Sequence, residues 1–205
     1  MCIHQAIDIL IETCKEKIIS DKLSGEKNKY VICSGIVFDG HLLRDTICTN
    51  DYKTTCYKEN GRMIQVTNLH ADTATVMEWE RKYKQDPKLE RKKNKAIIVI
   101  VRISMSDHYV KKHNELAKSK KLTEIILDDN DFELKSAKPC KWCVKKIQDT
   151  GIKKVKYSNH EGKIVSSNIQ KWDLEEQHLS DAQRKHEKRE REKQIKTKKN
   201  KKEKK

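Results

Sequence analysis

The sequence predicts a three-layer α/β protein with a mixed central sheet, followed by a basic C-terminal tail. Residues 96–101 form an unbroken apolar run that is β-branched after its leading alanine, as in a central strand buried on both faces. Helix-like and strand-like segments alternate around this run, which is typical of helices packed on a sheet. Residues 181–205 contain thirteen Lys/Arg and five Asp/Glu, a net charge of +8 out of +15 for the whole chain. We therefore expect one domain over residues 1–179, with a charged insert at 105–131, and a tail over residues 180–205.

The N-terminal half is predicted to contain a helix, a β-hairpin and a second helix. The first helix has an amphipathic pattern and ends at the polar segment 20–25. The Asp39-Gly40 pair is a hairpin turn signal between two apolar strand patterns. Residues 51–66 are polar and poorly periodic, so they predict no regular element. The predicted elements are a helix at 4–19, strands at 29–38 and 41–48, and a helix at 70–83.

The C-terminal half is predicted to alternate between strands and helices around a helix that carries two cysteines. That helix begins at Pro139, because proline suits the first helical position, and it stops before Gly151. The charged insert combines a short helix with a short strand. The predicted elements are a strand at 95–103, a helix at 109–118, a strand at 122–127, a helix at 139–150, a strand at 152–158, and a strand and a helix within 162–179.

Cys140 and Cys143 are the residues of the sequence that most directly indicate a chemical function, namely metal binding. Their spacing places both thiols on one side of the opening helical turn. The positive end of a helix favours thiolate over thiol, so the pair is suited to a soft metal ion. His70, at the start of the second predicted helix, is a candidate third ligand. Together these residues indicate a zinc site.

The segment 136–143 resembles part of a known enzyme family. Zinc-dependent deaminases have a His-x-Glu at the start of one helix and a Pro-Cys-x-x-Cys at the start of another. The Ser-x-x-Pro-Cys-x-x-Cys pattern of this segment, with Gly151-Ile152 and Val155-x-Tyr157 after it, resembles the cytidine/deoxycytidylate deaminase superfamily. Within that superfamily it is most similar to the deoxycytidylate and tRNA-adenosine branch. The resemblance implies a deaminase-like fold.

The resemblance extends over residues 1–165, and residues 98–104 are similar to versions from large DNA viruses. It implies that His70, Cys140 and Cys143 ligate Zn²⁺ and leave a fourth position for water. Three protein ligands and a water are typical of catalytic zinc, because the ion lowers the pKa of the water toward about 7. The activity implied is hydrolytic deamination of a cytosine-type base, most simply in a free pyrimidine deoxynucleotide such as deoxycytidylate.

Asp72 occupies the position of the family's catalytic glutamate, two residues after the histidine. The resemblance implies that Asp72 shuttles protons and that Asn50, Ala71 and Ser136 contact the substrate. Aspartate is shorter than glutamate by one methylene, or roughly 1.5 Å, and general acid–base catalysis requires hydrogen-bond reach. The alternative function is a catalytically weak or inactive deaminase-fold protein that acts as a nucleic-acid-associated or structural component.

Other residues compete for parts of this site. His113 and Glu115 supply an intact His-x-Glu, although they lie in a very basic segment after the central strand. A purely structural zinc site would recruit a fourth ligand from Cys48, Cys56 or His160. The Cys-x-x-Cys spacing is also compatible with a redox pair.

The composition also indicates the cellular setting and the partners. Seven cysteines without a secretory leader favour a reducing compartment, so we expect an intracellular, cytoplasmic protein, in the host cytoplasm if the source is a virus. No apolar run reaches the roughly 18 residues of a membrane span, so no membrane partner is expected. The basic tail is compatible with nucleic acid binding, with a nuclear address and with simple solvation. A pyrimidine nucleotide is the expected small-molecule partner, and self-association into a homo-oligomer is left open.

Overall fold

The computed structural model describes residues 2–23, 30–59, 62–83, 86–87, 92–111, 127–179, 184 and 188, without the side chains of residues 22–23, 51–59, 62–69 and 83. These residues form a mixed α/β arrangement in which helices flank a six-stranded mixed sheet. The main helices are α1 (Ile3–Leu23), α2 (Ala71–Tyr83) and α3 (Lys141–Thr150). The strands are β1 (Tyr30–Phe38), β2 (His41–Thr49), β3 (Asp51–Glu59), β4 (Arg62–Leu69), β5 (Ile97–Met105), β6 (Phe132–Lys135), β7 (Lys154–Ser158) and β8 (Ile164–Asn168).

The first helix is longer than the sequence predicts. The polar segment 20–25 was expected to end it, but α1 continues to Leu23. Lys17 forms an ion pair with Asp21 one helical turn later, and both Ile18 and Asp21 are buried. Burial of this turn and the ion pair therefore sustain the helix through residues whose composition suggested a break.

The structure contains the predicted hairpin and a second one that was not predicted. β1 and β2 pair antiparallel around Asp39 and Gly40, which both have positive φ angles. β3 and β4 also pair antiparallel, although residues 51–66 were expected to form no regular element. Their many threonine, tyrosine, valine and isoleucine residues favour strands, and Asn60-Gly61 is a hairpin signal in the sequence. The interspersed charges obscured the two-residue period.

β5 is the central strand of the main sheet, as its apolar run predicts. The strand order is β2-β1-β5-β7-β8, and β6 pairs with β5 outside this order. β1 runs antiparallel along one edge of β5. On the other edge, β7 runs parallel to residues 97–100 and β6 runs antiparallel to residues 102–105. The sheet is mixed because β5 and β7 are parallel, and α3 lies in the connection between them.

The side chains of β5 alternate between two buried clusters on opposite faces of the sheet. Val99, Val101 and Ile103 pack with residues of α1. Ile98 and Ile100 pack with residues of α2 and α3. This alternation follows from the two-residue period of a strand. Helices therefore cover both faces, in agreement with the layered α/β arrangement that the sequence predicts.

Ser158 closes the fork where β6 and β7 share one edge of β5. Its hydroxyl donates to the carbonyl of Lys135 at 2.6 Å and accepts from the backbone N–H of Arg102 at 3.2 Å. Its carbonyl accepts from the backbone N–H of Ala137 at 2.8 Å. Because Ser158 is fully buried, its hydroxyl satisfies backbone groups that the interrupted strand ladder leaves without strand partners. The fork directs the chain from β6 into the segment that precedes α3.

The remaining C-terminal elements differ from prediction in extent. The strand expected at 152–158 is β7, which begins two residues later. The region 162–179 contains β8 and a short 3₁₀ turn at Ile169–Lys171, where a helix was expected. The side chain of Asn168 caps this turn by accepting from the backbone N–H of Gln170.

Much of the charged insert and of the tail lies outside the described residues. Residues 107–111 are helical, as expected for the start of the insert. The strand predicted at 122–127 is described only at its last residue, and the tail over residues 180–205 only at residues 184 and 188. Within the part of the chain that the structure describes, no helix has the length and apolar composition that crossing a bilayer requires.

Replacing Ser158 with alanine should lower the free energy of unfolding by about 1–3 kcal/mol, because two backbone groups lose their hydrogen-bond partner inside the fold. Ser166→Ala is the matched control, since Ser166 is exposed on β8 and its loss should cost less than about 0.5 kcal/mol. Urea denaturation monitored by circular dichroism measures the free energy of unfolding of both variants. Equal stability of the two variants would contradict the role given to Ser158.

Candidate metal centre

His70 and Cys140 each lie at the N-cap of a helix. The carbonyl of His70 accepts from the backbone N–H of Ala74 at 3.0 Å and so begins the hydrogen bonding of α2. The carbonyl of Cys140 accepts from the backbone N–H of Val144 at 2.9 Å, and its extended backbone places it just before α3. The prediction that this helix begins at Pro139 was wrong, because the proline precedes the N-cap. The side chains of His70 and Cys140, both possible metal ligands, therefore each lie at the start of a helix.

α2 and α3 bring these two caps together because they pack on the same face of the sheet. Val76 and Trp79 of α2 share one buried cluster with Val144 and Ile147 of α3, and Ile98 of β5 belongs to it as well. The pair of helices is thus held by apolar contacts beyond the site. His70 and Cys140, which are 70 positions apart in the sequence, meet at the ends of these helices.

The structure brings the three predicted ligand atoms within 4.8 Å of one another. The Nδ1 atom of His70 lies 3.5 Å from the Sγ atom of Cys140 and 3.3 Å from the Sγ atom of Cys143. The two sulfur atoms are 3.3 Å apart. Both cysteines are buried and His70 is half-buried. This cluster could hold a metal ion.

The two thiols of the cluster have different proton affinities. The hydrogen bond between the sulfurs, together with His70, lowers the pKa of Cys140 to about 4. Burial raises the pKa of Cys143 well above its usual value, and the contact with Cys140 raises it further. Cys140 also raises the pKa of His70. The two sulfurs therefore retain one proton between them, and a metal ion that binds both thiolates must displace it.

Asp72 lies in the first turn of α2 and is buried beside the cluster. Its Oδ1 atom accepts from the backbone N–H of Thr73 at 3.0 Å. Burial raises the pKa of the Asp72 carboxyl, the positive charge of His70 opposes this shift, and Cys140 adds to it. A hydrogen bond with Cys143 lowers the pKa of the carboxyl and so partly offsets the effect of burial. A buried carboxyl with a raised pKa next to a set of metal-ligand atoms is a candidate proton carrier.

The three residues predicted to contact the substrate occupy different places. Ala71 is the first residue of α2 and is fully buried. Ser136 is half-buried in the segment between β6 and α3. The Oδ1 atom of Asn50 accepts from the backbone N–H of Ile32 at 2.6 Å, so this side chain holds the end of β2 against β1. Contact of Asn50, Ala71 and Ser136 with a substrate stays a prediction.

The alternative ligands from the sequence do not enlarge the cluster. Among the described side chains the group has three members, and Cys48 and His160 are not in it. The side chain of Cys56 lies outside the described residues, and so do His113 and Glu115. The described side chains therefore supply three ligand atoms and leave a fourth coordination position to another ligand.

Thr73 belongs to the site, although the sequence analysis missed it. Its hydroxyl donates to the Sγ atom of Cys143 at 3.3 Å. No spacing pattern marks a threonine at this position, because the contact joins two helices that are distant in the sequence. The signal is visible only after α2 and α3 have been placed side by side.

Comparison of the chain with models of known protein families, with curated proteins and with solved structures gave no match. An imidazole nitrogen and two thiolate sulfurs are donors suited to zinc and to several other transition metals. The cluster at the junction of α2 and α3 could therefore hold an ion of this kind.

The purified chain should contain about one equivalent of a transition metal, and Cys140→Ala or His70→Ala should reduce it to less than about a tenth. The reason is that each variant removes one of the three ligand atoms. Plasma mass spectrometry after extensive dialysis measures the content.

Cys48→Ala is the matched control, because Cys48 is also partly buried but is not in the cluster. This variant should retain the metal. Loss of the metal from Cys48→Ala, with retention in His70→Ala, would contradict the ligand set.

Proposed function

We propose that this protein is a zinc-dependent hydrolytic deaminase acting on a cytosine-type base. A free pyrimidine deoxynucleotide such as deoxycytidylate is the first candidate substrate. The observation that carries the proposal is the cluster of His70, Cys140 and Cys143 with the buried carboxyl of Asp72 beside it. A ligand set of one histidine and two cysteines with an adjacent acidic residue is typical of zinc deaminases.

The separations of the three ligand atoms suit zinc. Tetrahedral zinc with Zn–S near 2.3 Å and Zn–N near 2.0–2.1 Å places two sulfurs about 3.8 Å apart and a sulfur and a nitrogen about 3.6 Å apart. In the cluster the corresponding distances are 3.3 Å, and 3.3 and 3.5 Å. An outward shift of about half an ångström or less would therefore complete the tetrahedral geometry.

The charges of the ligands are also appropriate. Two thiolates balance a divalent ion and neutral His70 adds no charge, so the set can be neutral when it is loaded. The positive N-terminal ends of α2 and α3 both lie at the ligand cluster, which favours a negatively charged fourth ligand. Zinc held by three protein ligands supplies a hydroxide nucleophile from water at neutral pH.

Asp72 is the residue proposed to move protons. The pKa of the Asp72 carboxyl is raised and therefore lies closer to neutral pH than that of an exposed aspartate. General acid–base catalysis is most efficient when the pKa of the catalytic group lies near the working pH. The carboxyl would take one proton from the attacking water and deliver it to the ring nitrogen of the base, and would then carry the proton of the newly added hydroxyl to the amine, which leaves as ammonia. The hydrogen bond from the backbone of Thr73 fixes one carboxylate oxygen and orients the other.

The choice of a cytosine-type base rests on the resemblance of the segment 136–143 to the deoxycytidylate branch. The position of this segment in the fold is compatible with a ligand site of any kind. The segment follows β6 and includes the cysteine-bearing N-terminus of α3. The C-terminus of α3 leads to β7, which runs parallel to β5. In open sheets with parallel strands, ligand sites lie beyond the carboxyl ends of the strands.

Loss of the titratable carboxyl should abolish most of the activity. We expect ammonia release from deoxycytidylate by the wild-type chain, and a decrease of at least about 100-fold in kcat for Asp72→Asn, because the proton carrier is removed. Asp72→Glu should keep or raise the rate, since it restores the longer side chain. An enzyme-coupled ammonia assay over a panel of cytosine and adenine nucleosides, nucleotides and single strands measures these rates.

Asp149→Asn is the matched control, because Asp149 is exposed on α3 and its amide variant should leave the rate unchanged. Silence of the wild type together with activity of Asp72→Glu would indicate a deaminase fold that has lost its chemistry. Silence of both, with zinc bound, would overturn the proposal.

The alternative is a catalytically weak or silent protein that binds nucleic acid. Two observations favour it as the second candidate: the shortened carboxylate at Asp72 and the net charge of +8 over residues 181–205. A protein that contacts phosphates with lysine and arginine releases counterions, so its affinity falls as salt rises.

Removal of residues 180–205 tests this alternative. If the tail binds nucleic acid, the slope of log affinity against log salt should become shallower, for each phosphate that the tail neutralises, by about 0.9 on a duplex and about 0.7 on a single strand. Fluorescence anisotropy with a labelled DNA duplex and a labelled single strand measures the slope for both chains. Equal slopes would eliminate the tail as a nucleic acid contact.

A further inference from the structure

We propose that Thr73 is a positioning residue that tunes the metal centre through a hydrogen bond from its hydroxyl to the sulfur of Cys143. This inference rests on the metal centre of the proposed function, but not on the reaction. It assigns a role to a residue that is neither a ligand nor a proton carrier.

The contact is specific in its geometry. The Oγ1 atom of Thr73 lies 3.3 Å from the Sγ atom of Cys143, and Thr73 is half-buried on the first turn of α2. A threonine in a helix can donate instead to a carbonyl three or four residues earlier. Thr13 of α1 does so, since its hydroxyl donates to the carbonyl of Ile9 at 2.8 Å. Thr73 directs its hydroxyl across to α3.

The direction of this hydrogen bond is fixed once a metal binds. A metal-bound Cys143 is a thiolate and has no proton, so the Thr73 hydroxyl must be the donor. Cys143 is 2% exposed, so water cannot solvate the negative charge of its sulfur. A buried charge requires hydrogen-bond donors, and Thr73 supplies one. The hydroxyl therefore stabilises the thiolate that the site needs.

The same bond alters the metal itself. A hydrogen bond to a ligand sulfur withdraws electron density from it, and partners of this kind typically change metal affinity or activity by about 10–100-fold. The sulfur would then donate less charge to the ion, but because Cys143 is buried, stabilisation of its thiolate outweighs this loss and the bond would raise the affinity for the metal. The backbone N–H of Thr73 meanwhile donates to Asp72 at 3.0 Å. One residue thus positions both a ligand and the neighbouring carboxyl.

The test compares Thr73→Val, which keeps the shape but removes the hydroxyl, with Thr73→Ser, which keeps the hydroxyl. In the Co²⁺-loaded full chain, Thr73→Val should shift the sulfur-to-cobalt charge-transfer band to longer wavelength, because a thiolate without the hydrogen bond releases an electron more easily. Competition with a chromophoric chelator should show zinc affinity reduced by about 10–100-fold. Thr73→Ser should restore both values to those of the wild type.

Thr13→Val is the control, because it removes a threonine hydroxyl from a helix away from the cluster and should change neither readout. Thr73→Ala serves as a second hydroxyl-free variant if the valine variant fails to fold. A wild-type band and affinity in the hydroxyl-free variant would overturn the proposal, as would a Thr73→Ser protein that behaves like Thr73→Val. Neither readout needs catalysis, so a chain that binds cobalt but deaminates nothing would refute the proposed function and leave this test intact.

Discussion

The packing of α2 against α3 on one face of β5 is the constraint on which the candidate metal centre depends. His70 comes from the end of a hairpin and the two cysteines come from a segment that leaves β6. They meet because the apolar cluster around Trp79 and Ile98 holds the two helices side by side. The site is therefore a consequence of core packing, and its ligand geometry is only as rigid as that cluster.

The same arrangement explains the electrostatics of the site. Two helix N-termini face one point, where buried thiolates and a carboxyl accumulate negative charge. Without a metal, the sulfurs of Cys140 and Cys143 keep one proton and the pKa of Asp72 is raised, because the site cannot hold this much negative charge away from water. A divalent ion relieves this imbalance, so metal binding should stabilise the fold as well as complete the site.

The central strand, the first hairpin and the pairing of the two cysteines were predictable from the sequence, because at these places the local sequence signals agree with the tertiary packing. The β-branched run of β5, the Asp39-Gly40 turn and the Cys-x-x-Cys spacing each have one dominant interpretation. β3 and β4 were missed because charged residues mask their period. The N-cap at Cys140 was misplaced because Pro139 also suits the position before a cap. The roles of Ser158 and Thr73 depend on contacts between distant segments, which no local pattern encodes.

X-ray absorption spectroscopy at the zinc edge of the purified chain measures which atoms ligate the metal. We expect two sulfur ligands at about 2.3 Å and two nitrogen or oxygen ligands at about 2.0–2.1 Å, from the cysteines, His70 and one non-protein ligand. Three sulfurs would mean that a further cysteine closes the site, and four would mean that two further cysteines do so in place of His70; in either case the zinc would be structural. A shell without sulfur would contradict the metal centre itself.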